Sequence, residues 1–271
     1  MTQKKPVYFM GINLRKLRKS IFSKTTYRGI VAVIATVIVW ELCARFEVRI
    51  IGMIPAPSSV FSSLVEQLQD PAYWECWVVS YDRVLSGFII AQIIGIPLGL
   101  IMGLSRHLRD LSFPTLEILR PIPPLAWVPT AVIFWPTPEM SMIFVTFLGA
   151  FFTMVLNILG GVKNIDVRYI RSAQSLGSSG FDIFRRIVLP ATLPSLFTGM
   201  TVGMGITWAV VVAAEMIASR SGLGFLTWKS YVAGDYPVIV IGMISIGIAG
   251  YLSSAVIRLL GDRLTPWRKI I

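Results

Sequence analysis

The chain has 271 residues, 55% hydrophobic and 14% charged, with a mean hydropathy of +0.71. Soluble domains carry about 25% charged residues, so this composition cannot coat a globule in water. Glycine without a period, sparse charge and two cysteines exclude collagen-like, disordered, coiled-coil and disulfide-stapled classes, and the net charge of +11 lies between apolar runs instead of interleaving with aromatics, which argues against nucleic acid.

The first segment, 1–27, is basic and holds no acid. Met10, Leu14, Leu17 and Ile21 share one helical face while Arg15, Lys16, Arg18 and Lys19 occupy the rest, which predicts an amphipathic helix on anionic membrane lipid; a disordered basic tail is the alternative. It leads into an apolar run of spanning length with no small-residue cleavage site, so it is not read as a cleavable signal.

Six apolar runs follow, near 28–47, 83–104, 112–135, 140–161, 191–215 and 237–258, each matching the roughly 17–25 residues that cross a bilayer. The expected fold is all-α: a polytopic membrane protein with about six transmembrane helices, residues 28–271 forming the membrane domain. Between the first two runs, Val60, Leu64 and Leu68 recur every four residues after Pro57, as in a short surface helix. Cys43 falls in a run and Cys76 in a connection, so neither a disulfide nor a metal site is expected. Pro114, Pro121, Pro123, Pro124 and Pro129 interrupt the third run, which predicts a broken helix near a pathway.

Most of the 25 basic residues fall in alternate connections: the tail, Arg106 and Arg109, then Lys163, Arg168, Arg171, Arg185 and Arg186, then the C-terminal end. With six crossings these share one side, and the positive-inside rule makes that side, with both termini, cytoplasmic.

Within the runs, Gly87, Ala91, Gly95, Gly99 and Gly103 form a row of small residues, repeated in the fifth run by Ser195, Gly199, Gly203 and Thr207. Such rows admit close backbone approach, either inside one subunit or at a moving or dimeric interface. Thr146, Thr153 and Asn157 share one face of the fourth run. Two readings stand for them: a hydrogen-bonded helix interface, or, with Thr201 and Thr207, a polar translocation pathway. Glu41, Glu117 and Glu215 lie toward the ends of their runs, where snorkelling accounts for them, and Arg120 follows Glu117 by three residues, so a local ion pair is expected, with a role for Arg120 in attracting an anion as the alternative.

No catalytic constellation is evident. His107 is alone in a basic connection, and H-E-x-x-H, G-x-S-x-G and G-x-x-x-x-G-K-[ST] are all missing. The chain is read as no enzyme and as holding no cofactor.

The informative stretch is 171–190, RSAQSLGSSGFDIFRRIVLP, within a cytoplasmic connection spanning 162–190. A helix from about Val167 to Leu176 is expected to stop at Gly177, a residue suited to the left-handed conformation past a helix end. Ser179 and Asp182 then make an S-x-x-D start, Phe181, Phe184 and Val188 an apolar face, and Pro190 and Pro194 a close at the membrane. The stretch resembles the E-A-A, three residues, G, nine residues, I-x-L-P loop of ABC importer permeases. Ala173, Gly177, Ile187, Leu189 and Pro190 stand at the motif's spacings, while Arg171 and Ser172 replace the usual Glu and Ala. IPAPSSV at 54–60, GIPLGLIMGLS at 95–105, RPIPPLAWVP at 120–129, VAAEMIASRSGLGF at 212–225 and RLTPW at 263–267 are similar to the nitrate, sulfonate, taurine and bicarbonate branch, and A-Q-S-L-G after a basic residue is most similar to taurine-type permeases.

The resemblance implies a type I importer permease fold in a bacterial inner membrane, moving a small anion of taurine or alkanesulfonate type, with nitrate, bicarbonate or cyanate as alternatives. It implies a second copy of the chain, a periplasmic or lipid-anchored binding protein, and two ATPase subunits that carry ATP and Mg. Arg171, Ser172, Ala173, Leu176, Gly177, Phe181 and Pro190 would form the coupling element docked on the ATPase. A small-residue-packed oligomeric channel is the rival of a different class.

Overall fold

The computed structural model describes residues 8–9, 12–13, 24–46 and 54–267, in two compact units, 1–65 and 66–271. In the first unit β1 (Tyr8–Phe9) and β2 (Ile12–Asn13) pair antiparallel. A continuous amphipathic helix across this part of the tail is therefore corrected at residues 12–13: Gly11 and Asn13 are poor helix formers. Met10, Leu14, Leu17 and Ile21 lie outside the described residues. The first apolar run is α1 (Lys24–Arg45). Near its end Glu41 pairs with Arg45 at 2.6 Å and accepts from the Ser58 N–H at 3.1 Å. The surface helix expected after Pro57 is α2 (Pro57–Gln69), with Val60 buried and Leu68 exposed.

After the end of α2, the second unit holds α3 (Pro71–Leu104), which starts twelve residues before the expected run. Asp70 caps it by accepting from Ala72 N–H at 2.9 Å, and Pro71 pre-sets the first turn. Cys76 therefore lies on the helix instead of in a connection. Next come α4 (Arg106–Leu119), a 3₁₀ turn (Pro124–Trp127) and α5 (Val128–Phe134). The third run is thus broken, as its prolines require. Glu117 and Arg120 are both exposed and form no ion pair with each other, contrary to expectation; Arg120 already belongs to the helix end, where the chain turns toward Pro121.

Then follow α6 (Pro138–Lys163), α7 (Val167–Ser175), α8 (Gly180–Ile183), a π turn (Phe184–Val188), α9 (Leu189–Ala218), α10 (Leu223–Ala233) and α11 (Tyr236–Leu264). Among the described residues α3, α6, the continuous Gly180–Ala218 stretch and α11 are long and apolar enough to cross a membrane.

The glycine rows fix how these helices meet. A Cβ added to Gly87, Gly99 or Gly103 would lie 2.8, 2.8 and 2.6 Å from the Cβ atoms of Thr146, Ile158 and Val162, and one on Gly95 would lie 3.3 Å from that of Met154. Both sequences rise together, so α3 and α6 run parallel. On the other side of α6, Gly161 meets Ser195, Asn157 meets Gly199 and Ala150 meets Gly203, an antiparallel register against α9. The rows therefore serve packing within one chain. Parallel α3 and α6 also require residues 105–137 to return along the bundle, and the broken α4–α5 segment makes that return. Around α6 the core gathers Val84, Phe88, Ala91, Ala150, Met204, Trp208 and Val211. Tyr73 pairs with Ser245 at 2.8 Å and Trp208 donates to Ser253 at 3.2 Å, which pins α11 to α3 and α9.

Candidate functional site

Two polar regions stand out, at opposite ends of this bundle. One is the connection after α6. Asp166 caps α7 by accepting from Arg168 N–H at 2.8 Å, and the Arg168 side chain beside it, then that N–H, hold its carboxyl below the usual carboxylate range. The helix ends in a Schellman motif. Ser178 N–H donates to Ala173 O and Gly177 N–H to Gln174 O, both at 3.0 Å, with Gly177 at φ +78°. Ser179 then caps α8 through Asp182 N–H at 3.2 Å. The helix, stop and restart thus fall where the residues place them.

Two expectations for this element are corrected. Phe181 is 70% exposed, and the inward face is instead Ile183, Phe184, Ile187 and Val188, packed with Val162, Ile165, Ile170 and Ala173. Nor do Pro190 and Pro194 close the element, since helix continues from Gly180 to Ala218. The π turn is the reason: Leu189 N–H donates to Phe184 O, one residue farther back than in an α-helix, which shifts the face and loosens the ladder before Pro190. Of the residues singled out, Ala173 and Pro190 are partly buried, while Arg171, Ser172, Leu176, Gly177 and Phe181 are exposed. Leu176 is 86% exposed.

The other region was missed in the sequence. Glu215 is fully buried and does not snorkel. Arg83, also buried, donates through Nη1 to Glu215 at 3.0 Å and to Ser221 O at 2.8 Å, and through Nη2 to Glu139 at 3.1 Å. Ser80 donates to Glu215 at 2.8 Å and accepts from Leu223 N–H at 2.8 Å, while Gly224 N–H donates to Glu215 at 2.9 Å. Gly222, at φ +112°, and Gly224 lie so close to α9 that a side chain on Gly222 would collide with the Glu215 carboxyl and one on Gly224 with Val212 O. A buried carboxylate with this many donors is stable because its charge is paired and its lone pairs are filled. The available signal was a charge in each of two runs, Arg83 and Glu215, which a bilayer tolerates most readily as a pair.

The five residues of the suggested pathway occupy the packed faces of α6 and α9. Thr146 and Thr207 are fully buried and donate to Met142 O at 2.6 Å and Gly203 O at 2.7 Å. Thr153, Asn157 and Thr201 are half-buried; Asn157 donates to Thr153 O and Thr201 to Phe197 O, each at 2.8 Å. Among the described residues no cluster of His, Cys, Asp and Glu could hold a metal ion, and Cys43 and Cys76 are free.

Comparison with known proteins agrees with this architecture. Residues 95–270 match the family of the binding-protein-dependent transport system inner membrane component. The chain is 35% identical to the taurine transport system permease protein TauC of Escherichia coli, over 88% of each chain. It is 31% identical to the nitrate import permease protein NrtB of Leptolyngbya laminosa, over 91% of each. A third relative is the bicarbonate transport system permease protein CmpB of Synechococcus elongatus, 36% identical over 72% of this chain and 67% of that one. The solved inward-facing MetNI methionine ABC transporter superposes with a TM-score of 0.55 at 18% identity, covering 70% of this chain and 98% of that chain, a likeness of fold. Four long apolar helices, the interrupted segment between α3 and α6 and the capped two-helix connection therefore have one account: the chain belongs to the ABC importer permeases of the taurine, nitrate and bicarbonate family, inner-membrane subunits that work with separate ATPase subunits and a binding protein.

Proposed function

We propose that this chain, as a homodimer, passes a small anion of the taurine or alkanesulfonate type from a periplasmic or lipid-anchored binding protein into the cytoplasm, driven by two ATPase subunits that bind ATP and Mg. The observation that carries the coupling is the exposed face of Arg171, Ser172, Leu176, Gly177 and Phe181 on an element stiffened by two caps and a packed inner side. Large apolar side chains left in water there suit a cleft in a partner. Arg106, Arg109, Lys163, Arg168, Arg171, Arg185, Arg186, Arg258 and Arg263 flank the helix ends on this side of the bundle, which supports a cytoplasmic placement for it, and both termini are proposed to be cytoplasmic as well. Nitrate, bicarbonate and cyanate are the alternative cargoes, the first two supported by the relatives. The channel reading has no support, since the small-residue rows are consumed within the chain.

Thr153, Asn157 and Thr201, with Thr146 and Thr207 behind them, are proposed as the polar side of the path, able to hold an anion by hydrogen bonds without trapping it. The test is uptake of labelled taurine, nitrate and bicarbonate by proteoliposomes holding the chain with its cognate ATPase and binding protein. Taurine is expected to enter with ATP inside, and entry of nitrate or bicarbonate alone would overturn the cargo assignment. In cells with the native cysteines removed, Ser178→Cys should resist a membrane-impermeant thiol reagent and react in inverted vesicles. Labelling from outside would reverse the orientation.

A further inference from the structure

The cluster around Arg83 holds more donors than it uses. A guanidinium presents five N–H groups in a fixed fork. Nη1 spends its two on Glu215 and Ser221 O, and Nη2 spends one on Glu139. Nε is buried and has no partner. Nε and Nη2 together form the edge of the guanidinium that grips two oxygens of one anion at once, yet Glu139 reaches only the Nη2 end of it.

The two carboxylates differ. Glu215 is fully buried and also held by Ser80 and Gly224 N–H, so it balances the Arg83 charge permanently. Glu139 is 60% exposed, sits in the first turn of α6 and makes one contact with the cluster. It is surplus to charge neutrality and free to swing out into solvent.

We propose that the Nε/Nη2 edge of Arg83 is a binding site for a small oxyanion, such as a sulfonate, nitrate or bicarbonate, and that the Glu139 carboxylate is an internal place-holder which the anion displaces. Such an anion offers two oxygens to the two adjacent donors and satisfies the Nε–H that Glu139 leaves unpaired. The site lies where α6 begins and α9 ends, the outward end of the bundle in the proposed topology, where a cargo anion arrives first. This inference rests on the anion-import reading and adds a residue pair to it.

The experiment measures binding of methanesulfonate, nitrate and bicarbonate to the purified, assembled transporter by thermal shift, alongside ATP-driven uptake. Glu139→Gln keeps the side-chain shape and removes the competing charge, so anion affinity should rise about tenfold or more. Arg83→Lys can still pair with Glu215 but lacks the fork, and its anion-dependent shift should vanish. Equal affinity in wild type and Glu139→Gln would overturn the site, and because Glu139 is largely exposed that comparison does not depend on whether Arg83→Lys folds. Uptake separates the two levels. An unchanged affinity in a transporter that imports taurine or one of these anions removes the Arg83 site alone, whereas import of none of them, taurine included, removes the anion-import reading.

Discussion

The two ends of the bundle invert the burial rule in opposite senses. At the α7–α8 end, Leu176 and Phe181 are 86% and 70% exposed. At the other, Arg83, Ser80 and Glu215 are 2%, 0% and 0% exposed. Fully burying a side chain such as leucine or phenylalanine is worth roughly 1.5–3 kcal/mol, so the first end leaves favourable free energy for a partner to collect. The second pairs the Arg83 charge with Glu215 inside one chain and leaves only the Nε side of the guanidinium without a partner. An element that offers apolar surface to another subunit and one that holds a charge pair inside its own chain are thus told apart by which rule each breaks.

The comparison breaks most severely at Glu215. Glu215→Ala leaves Arg83 buried without its main counter-charge, a loss expected to cost about 3–5 kcal/mol, and should lower the thermal midpoint in detergent and the yield of folded protein. Leu176→Ala at the other end should leave both unchanged. A Glu215→Ala protein as stable as wild type would mean that solvent, not the fold, supports Arg83.

Two glycines sharpen the contrast at the next level. Gly99→Leu would drive a side chain into Ile158 and Val155 O, each 2.9 Å or less from its first carbon. Overpacking of this kind typically costs about 1–3 kcal/mol, read as a lower midpoint. Around Gly177 nothing lies within 4 Å of an added Cβ, so Gly177→Trp should carry only the backbone penalty of its positive φ, of order 1 kcal/mol. It should nevertheless abolish substrate-stimulated ATP hydrolysis, by keeping the ATPase from the loop. Normal coupled hydrolysis in Gly177→Trp would dissociate the exposed face from coupling.

What could be read in advance follows the range of the interactions. Caps, stops and starts are local, so Asp166, Gly177 and Ser179 announce themselves within four residues. The glycine rows announce close packing, and their partners follow once α6 is placed between α3 and α9. The π turn was illegible, because one shifted hydrogen bond before Pro190 leaves no composition signature. The Arg83–Glu215 pair was missed for the opposite reason. Its members are 132 residues apart, and Arg83 stood at the very edge of a hydropathy run whose helix actually begins twelve residues earlier.

The smallest expected stability effect is also the one that decides between two uses of the same polar groups. Asn157 packs its Cβ against Gly199 and donates to Thr153 O, while Thr153 and Thr201 are half-buried on the same two helices. An intrahelical bond from an amide or hydroxyl to the carbonyl four residues back can be lost with little change in stability, since the carbonyl keeps its backbone donor. Thr153→Val and Asn157→Leu should therefore leave the midpoint nearly unmoved. If the groups line the path, uptake per assembled complex should fall severalfold, because an anion in a low-dielectric passage loses donors that apolar side chains cannot replace. If they only hold α6 to α9, each assembled complex should transport at the wild-type rate. Measuring uptake per complex beside the midpoint separates the two, and wild-type uptake per complex in both variants would take Thr153 and Asn157 out of the pathway.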